Sequence, residues 1–372
     1  MNPKRIRALV VDDSSVVRHA ISDALKRDPE IEVVGTAADP YDARDKILSL
    51  NPDVLTLDIE MPRMDGLTFL RILQQHRPLP VVIVSSLTQA GSRAALDAME
   101  AGAVDVIAKP TSAWGIGDLG AQLCQRVKGA AVASLRRQYA GNTAPQPPSL
   151  ADSARFNPRQ IILLGASTGG TEALKFLLTR LPDGLPGICI VQHIPPVFSR
   201  TFAERLNEEC AFEVREAASG DEIQPGLALI APGDYHMMIV WNSGRYRVVL
   251  NQGPAVHYTR PSVDMLFNSA ATCAGRHAVV GLLTGMGSDG AQGMKKLQAA
   301  GAATFAQNEA TCVVYGMPRA AVELGAADKV LPLDEIPDAL VRSVLSRSGN
   351  DDSTGSRNIS TPQSTSRHPI KS

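Results

Sequence analysis

The chain has 372 residues, enough for two domains and a linker. It is 44% hydrophobic and 20% charged, a balance that can bury ordinary cores, and only 4% aromatic, so small aliphatic side chains must do the packing. A net charge of -1 argues against a nucleic-acid-binding or membrane-surface protein, and no apolar run approaches the roughly 18–20 residues of a membrane span. The opening MNPKRIRALVVDD has too short an apolar run for a signal peptide. The expectation is a cytoplasmic monomer with no membrane insertion. Cys124, Cys189, Cys210, Cys273 and Cys312 form no CxxC pair and read as buried free thiols in a reducing compartment.

The first part alternates strands and helices. Apolar runs over 7–13, 31–35, 54–58, 80–86 and 105–110 predict five strands. Between the first two, Val16, Val17, Ala20, Ile21, Ala24 and Leu25 recur at the three-and-four spacing of an amphipathic helix. A second helix begins at Asp39-Pro40, a cap followed by proline at the first helical position. Strands that are apolar throughout and separated by helices predict a doubly wound parallel sheet of flavodoxin-like kind, ending near residue 127.

Special residues fall at the carboxyl ends of these strands: Asp12 and Asp13 at the first, Asp58 at the third, Ser85 at the fourth and Lys109 at the fifth. That edge is where open parallel sheets bind ligands. A lone strand-end aspartate is usually a cap, but four matching strand ends argue against coincidence. Three carboxylates brought together require a hard cation or a lysine, and an all-oxygen set suits Mg²⁺. The segments VVDDSSVVR, LDIEMPRMDGL, VSSLT and AKP, at these spacings, resemble the receiver domain of bacterial response regulators over essentially all of residues 1–127. The resemblance implies that Asp58 takes a phosphoryl group from a histidine kinase. It implies that Asp12, Asp13, Asp58 and the backbone carbonyl of Glu60 hold Mg²⁺, and that Ser85 and Lys109 contact the phosphoryl oxygens.

From 128 to 157 the pattern stops, and GNTAPQPPSLADS reads as a linker, although the preceding helix could run on to about 139. A second alternating series follows, with strands over 161–167, 187–194, 226–233, 246–252, 278–290 and 303–308. Asn242-Ser243-Gly244 reads as a hairpin turn. The second domain, 158–347, is therefore an α/β unit with a mostly parallel sheet and an antiparallel portion. The polar stretch 348–372 reads as a disordered tail.

Gly165-Ala166-Ser167-Thr168-Gly169-Gly170 follows an apolar strand, precedes a helix and contains GxSxG, which sets a serine on a tight strand-to-helix turn. Alone, it is as well explained by a helix cap. His193 ends the next buried strand and Asp289 follows a third, so serine, histidine and aspartate converge on one sheet edge, as nucleophile, base and orienting acid require. Their chain order differs from that of α/β-hydrolases. His236 and His257 are reserve candidates. Met286-Gly287 either shapes the pocket or lets backbones approach. The stretch 257–267 either lines the cleft, with Arg260 facing an acidic partner, or starts a helix with Pro261 in its first turn and Val263, Leu266 and Phe267 inward.

GASTGG, VQHIP, HYTRPSVDMLF, TGMGSDGA and YGMPRAA together resemble the catalytic domain of the chemotaxis protein-glutamate methylesterases, and the order of receiver then esterase matches that family. The resemblance implies a triad of Ser167, His193 and Asp289 with no cofactor in the esterase site, and chemotaxis receptors as substrate. It also implies deamidation of receptor glutamines. Backbone N–H groups of Thr168 and Gly169 are candidates for the oxyanion site. Three rival readings are a non-enzymatic response regulator, a small-molecule esterase under receiver control, and a nucleotide-binding protein. The last is disfavoured because GASTGG lacks the Gly-Lys-Ser/Thr ending.

Overall fold

A computed structural model describes residues 4–109, 118–133 and 156–348. The first domain runs β1 (Ile6–Val11), α1 (Ser15–Lys26), β2 (Ile31–Ala37), α2 (Pro40–Leu50), β3 (Val54–Asp58), α3 (Gly66–His76), β4 (Val81–Ser85), α4 (Gln89–Glu100), β5 (Asp105–Ala108) and α5 (Asp118–Ala131). Its five strands pair in parallel in the order β2-β1-β3-β4-β5, a flavodoxin-like sheet. β3, β4 and β5 are buried at every position, which is why they read as unbroken apolar runs. Asp39 caps α2 as expected, accepting from the N–H groups of Tyr41 and Asp42.

α5 runs to Ala131, past the boundary expected at 127. Val127 and Ala130 are still fully buried, and Lys128 pairs with Asp28 at 2.9 Å, so the last turn belongs to the receiver. The continuation to about 139, most of the linker and the tail from 349 lie outside the described residues.

The second domain runs β6 (Ile161–Ala166), α6 (Gly170–Leu178), β7 (Ile188–Gln192), α7 (Phe198–Glu209), β8 (Glu213–Glu216), β9 (Glu222–Ile223), β10 (Leu227–Ile230), β11 (His236–Asn242), β12 (Arg245–Asn251), α8 (Val263–Cys273), β13 (Ala278–Leu282), α9 (Ala291–Ala299), β14 (Ala303–Gln307), α10 (Met317–Glu323), β15 (Lys329–Leu331) and α11 (Ile336–Ser348). Seven strands form one parallel sheet, β15-β14-β13-β6-β7-β10-β8. The antiparallel portion is a separate sheet, β11-β12-β9, turned at the expected hairpin. The short strands β8, β9 and β15 were not legible: β8 is only partly buried, β9 has two residues, and β15 keeps Lys329 and Val330 exposed.

The connections place the site. From β6 the chain moves to β7 on one side, while β13 and β14 build the other side, so β6 is the switch point of the sheet, where open α/β sheets form a crevice. Among the described residues no helix is long and apolar enough to cross a membrane. All five cysteines are free, but Cys210 and Cys273 are only partly buried.

Candidate active site and phosphorylation site

In the receiver, register aligns the functional strand ends. Val11 pairs with Leu57, Asp58 with Val84, and Ser85 with Ala108, so Asp12, Asp58, Ser85 and Lys109 emerge along one edge. Asp12 and Asp58 are fully buried and Asp13 is exposed. Lys109 Nζ donates to Asp58 Oδ2 at 2.6 Å and lies 3.6 Å from Asp12 Oδ2. Asp58 Oδ1 accepts from the N–H of Glu60 at 3.1 Å. Burial, with the charge of Asp12 behind it, pushes Asp58 up to about 6 against the Lys109 hydrogen bond. Burial likewise raises Asp12, and Lys109 only partly offsets it. The Ser85 hydroxyl donates to the Gly91 carbonyl at 3.1 Å.

Carboxylate oxygens of Asp12, Asp13 and Asp58 lie within 4.8 Å of one another, and buried Asp12 Oδ2 has no hydrogen-bond donor. A hard oxygen set with one buried anionic oxygen left unsatisfied fits a divalent cation such as Mg²⁺.

In the second domain, β6 and β7 end together, with Ala166 paired to Gln192. Ser167 and His193 are therefore the next residues on neighbouring strands. The N–H of His193 donates to the Ala166 carbonyl at 3.1 Å, and that of Ser167 to the Thr284 carbonyl at 3.0 Å. Beneath them, the Gln192 side chain donates to the Ser167 carbonyl at 2.9 Å and to the His193 carbonyl at 3.3 Å. The turn after Ser167 depends on glycine. Gly169 has φ +75°, and a Cβ there would lie 2.1 Å from Val313 Cγ2.

The three expected side chains meet. His193 Nδ1 lies 3.0 Å from Ser167 Oγ, and His193 Nε2 lies 2.8 Å from Asp289 Oδ2. All three are nearly sealed from solvent. Asp289 Oδ1 accepts from Ser262 Oγ at 2.8 Å and from the N–H of Asp264 at 3.0 Å, and Oδ2 accepts from the N–H of Val263 at 2.7 Å. The carboxylate thus caps the first turn of α8, whose own N-cap residue Ser262 makes no capping bond. Burial alone would raise Asp289. The His193 hydrogen bond and charge, with the Asp264 and Val263 amides, outweigh it and hold the carboxyl below its ordinary range. Among the described residues the N–H groups of Thr168 and Gly169 carry no hydrogen bond, whereas that of Gly170 is spent on the Ser167 carbonyl at 2.6 Å.

Of the reserve histidines only His257 is near the triad, a ring nitrogen of it lying within 4.8 Å of carboxylate oxygens of Asp264 and Asp289. His236 is buried and faces the Pro254 carbonyl at 3.0 Å. His257 lies on the rim of the cleft, 3.2 Å from Asp264 Oδ2. Over 257–267 the packing alternative describes Val263, Leu266 and Phe267, which are fully buried. Pro261 precedes the N-cap instead of opening the helix. Arg260 is not free for an acidic partner: Nε and Nη2 bind Asp234 Oδ1, and Nη1 binds the Gln252 and Gly253 carbonyls. Met286 lines the cleft.

Residues missed from sequence come mostly from the receiver. The cleft, about 120 Å³, is bounded by Ser167, His193 and Met286 on one side and by Gln122, Gln125 and Arg126 of α5 on the other. Arg126 Nη2 donates to the His193 carbonyl at 3.1 Å, its Nη1 pairs with Asp105, and Gln122 donates to the Tyr258 carbonyl at 2.8 Å. Thr168 Oγ1 donates to Asp105 Oδ2 at 2.5 Å. Further out, α4 packs on α6 and α7, with Glu100 bound to Lys175 at 2.7 Å and Asp97 to Arg205 at 2.8 Å. Asp105 opens its strand instead of closing it, so a search of strand ends passes over it.

A family model described as CheB methylesterase matches residues 162–340, and one described as response regulator receiver domain matches 8–116. A protein of Syntrophus aciditrophicus, "Protein-glutamate methylesterase/protein-glutamine glutaminase 2", is 51% identical over 345 residues, covering 91% of this chain and 99% of that protein. A protein of the same name from Pseudomonas aeruginosa is 52% identical over 348 residues, covering 93% and 99%. Among solved structures, the Thermotoga maritima CheB methylesterase catalytic domain aligns with TM-score 0.48 and 38% identity, covering 49% of this chain and 97% of that one. The response regulator domain of Thermotoga maritima CheB aligns with TM-score 0.32 and 37% identity, covering 34% and 97%.

Proposed function

The chain belongs to the CheB methylesterase family and carries a response regulator receiver domain before the catalytic domain, and from that premise we propose that it is a phosphorylation-controlled hydrolase acting on glutamate methyl esters and certain glutamines of chemotaxis receptors, in the service of sensory adaptation. The observation that carries this reading is the hydrogen-bonded series Ser167, His193, Asp289 at the switch point of the sheet.

In the proposed reaction His193 Nδ1 takes the hydroxyl proton as Ser167 Oγ attacks the ester carbonyl. Asp289 holds Nε2–H and stabilises the imidazolium. The unpaired N–H groups of Thr168 and Gly169 support an oxyanion site beside the serine. The imidazolium returns its proton to the departing methoxide, and methanol leaves. Water then attacks the acyl-serine, His193 accepting its proton and passing it to the departing Ser167 Oγ, so that glutamate is released and the serine hydroxyl is restored. A glutamine side chain follows the same course with ammonia as the leaving group, a poorer one, so deamidation is slower.

Asp58 would accept the phosphoryl group from a histidine kinase. Asp12, Asp13, Asp58 and the carbonyl of Glu60 would hold Mg²⁺, which when bound supplies positive charge against the phosphoryl oxygens. Lys109 supplies the protein's own positive charge at the same place. The α5 residues over the cleft support a resting state in which the receiver keeps substrate out, and phosphorylation favours the uncovered state.

The test is methanol release from methylated receptor membranes, with and without Mg²⁺ and a small phosphodonor, for the wild-type chain and Ser167→Ala. Release that rises with the phosphodonor and vanishes in the variant is expected. No release from folded, phosphorylated protein would overturn the reading. Fragment 150–348 is expected to be at least as active as the unphosphorylated full chain, and lower activity would refute simple covering.

A further inference from the structure

Thr168 is the residue after the nucleophile. It is 1% exposed, and it lines the cleft with Ser167 and His193. Its hydroxyl is not used within its own domain. The N-cap of α6 is Gly169, so Thr168 lies one residue outside the helix and its hydroxyl is not a capping group. The backbone carbonyl of Thr168 accepts from Thr284 Oγ1 at 3.0 Å, but among the described residues its own hydroxyl has one partner, Asp105 Oδ2 of the receiver.

The partner is a side-chain carboxylate, the same group that the esterase reaction produces. Asp105 is 3% exposed and is held from behind by Arg126, whose other nitrogen reaches the carbonyl of the catalytic histidine. The receiver therefore presents a fixed carboxylate to a hydroxyl one residue from the nucleophile.

Resting on the esterase reading, we propose that the Thr168 hydroxyl donates a hydrogen bond to the acyl oxygen of the substrate side chain, and that Asp105 occupies this donor in the covered chain as a mimic of the product carboxylate. When the receiver leaves, the hydroxyl loses this acceptor and opens to the cleft, free to donate to water or to a bound substrate. The acyl oxygen, brought next to Ser167 Oγ by the reaction itself, is the acceptor that replaces it. The bond strengthens as that oxygen becomes anionic, so the benefit falls on the transition state more than on substrate binding.

The experiment compares Thr168→Val and Thr168→Ser with wild type in the full chain, measuring methanol release from methylated receptor membranes with and without Mg²⁺ and a small phosphodonor. With phosphodonor, the valine variant should lose about 10- to 100-fold in kcat, toward the range seen on removing one oxyanion donor, with KM nearly unchanged. The serine variant should stay within about threefold. Asp105→Ala, which frees the hydroxyl without altering it, should raise release by the unphosphorylated chain, and that rise should disappear in the double variant with Thr168→Val. A hydroxyl that serves only to fasten the receiver predicts the opposite: Thr168→Val would raise unphosphorylated release and leave phosphorylated release unchanged. That result would overturn the proposal, as would equal losses in the valine and serine variants, or a double variant as active as Asp105→Ala. A wild-type chain that releases no methanol would overturn the esterase reading with it, whereas failure of the proposal alone would appear against an active wild type.

Discussion

His193 turns Nε2, not Nδ1, toward Asp289, at 2.8 Å, leaving Nδ1 to face Ser167. In the serine-protease arrangement the two nitrogens have exchanged roles. A half-turn of the ring would place carbon at both positions, so the two polar partners fix its orientation together. With Nε2–H given to the carboxylate, the Nδ1 lone pair is the one able to take the serine proton.

Asp289→Asn tests this arrangement. The carboxylate accepts from His193, Ser262, Val263 and Asp264, and a carboxamide must turn its NH₂ toward some of those donors. Methanol release should fall about 10³- to 10⁴-fold. Urea unfolding should show a loss of about 1–3 kcal/mol as the first turn of α8 loses its cap. Because the folded-state carboxyl titrates below its ordinary value, its contribution is present above that range and lost only as pH falls through the depressed value. Wild-type stability should therefore show no dependence on this group between about pH 5 and 8. An Asn variant of near-normal activity would sink the assignment of Asp289.

The receiver aspartate has the opposite sign. Asp58 is pushed up to about 6, so the fold favours its protonated form. Its contribution is fully present below the ordinary carboxylate value and is lost as pH rises through about 6. Asp58→Asn should be more stable than wild type at pH 7 by about 1–2 kcal/mol, with the difference fading toward pH 4. Mg²⁺ should raise the wild-type Tm at neutral pH and raise that of Asp12→Asn much less. Equal shifts would remove Asp12 from the cation site.

Charge pairs at the outer domain contact should govern resting activity. Lys175 and Arg205 meet Glu100 and Asp97, and these side chains are about a third exposed, so each pair contributes roughly 0–1 kcal/mol. Replacing both Asp97 and Glu100 by Lys should raise unphosphorylated methanol release by about 3- to 10-fold. Added salt should do the same in wild type by screening. Phosphorylated release should not change. A double variant with wild-type resting activity would show that α4 does not hold the receiver down.

Gly169→Ala should abolish activity and cost several kcal/mol. The position combines φ +75° with a Cβ site 2.1 Å from Val313 Cγ2, so both strain and overlap oppose any side chain. Near-normal unfolding and turnover in this variant would mean that the turn is not required in this form.

What the sequence made legible follows from where each signal lies. Buried parallel strands such as β3 and β6 are apolar at every position, and their carboxyl ends then single out Asp58, Ser167 and His193 by position alone. Asp289 lies seven residues beyond the end of β13, and its partners Ser262 and Asp264 precede or open a helix that reads as a packing element. Nothing in local periodicity links them. Asp105 and Arg126 were harder still, because they acquire meaning only when two domains meet, and no pattern within either half encodes that contact. The same holds for Arg260, where a plausible external partner gave way to Asp234 in the same domain.

Asp105 and Lys109 bracket β5, one at each end of a strand of four residues. One end touches Asp58 through Lys109, and the other touches Thr168, next to Ser167, through Asp105. At about 3.3 Å per residue the span is roughly 13 Å. The two contacts thus sit at opposite ends of one short segment. Because side chains alternate along a strand, one added residue would turn either Lys109 or Asp105 to the opposite face, so the two contacts depend on the length of this segment.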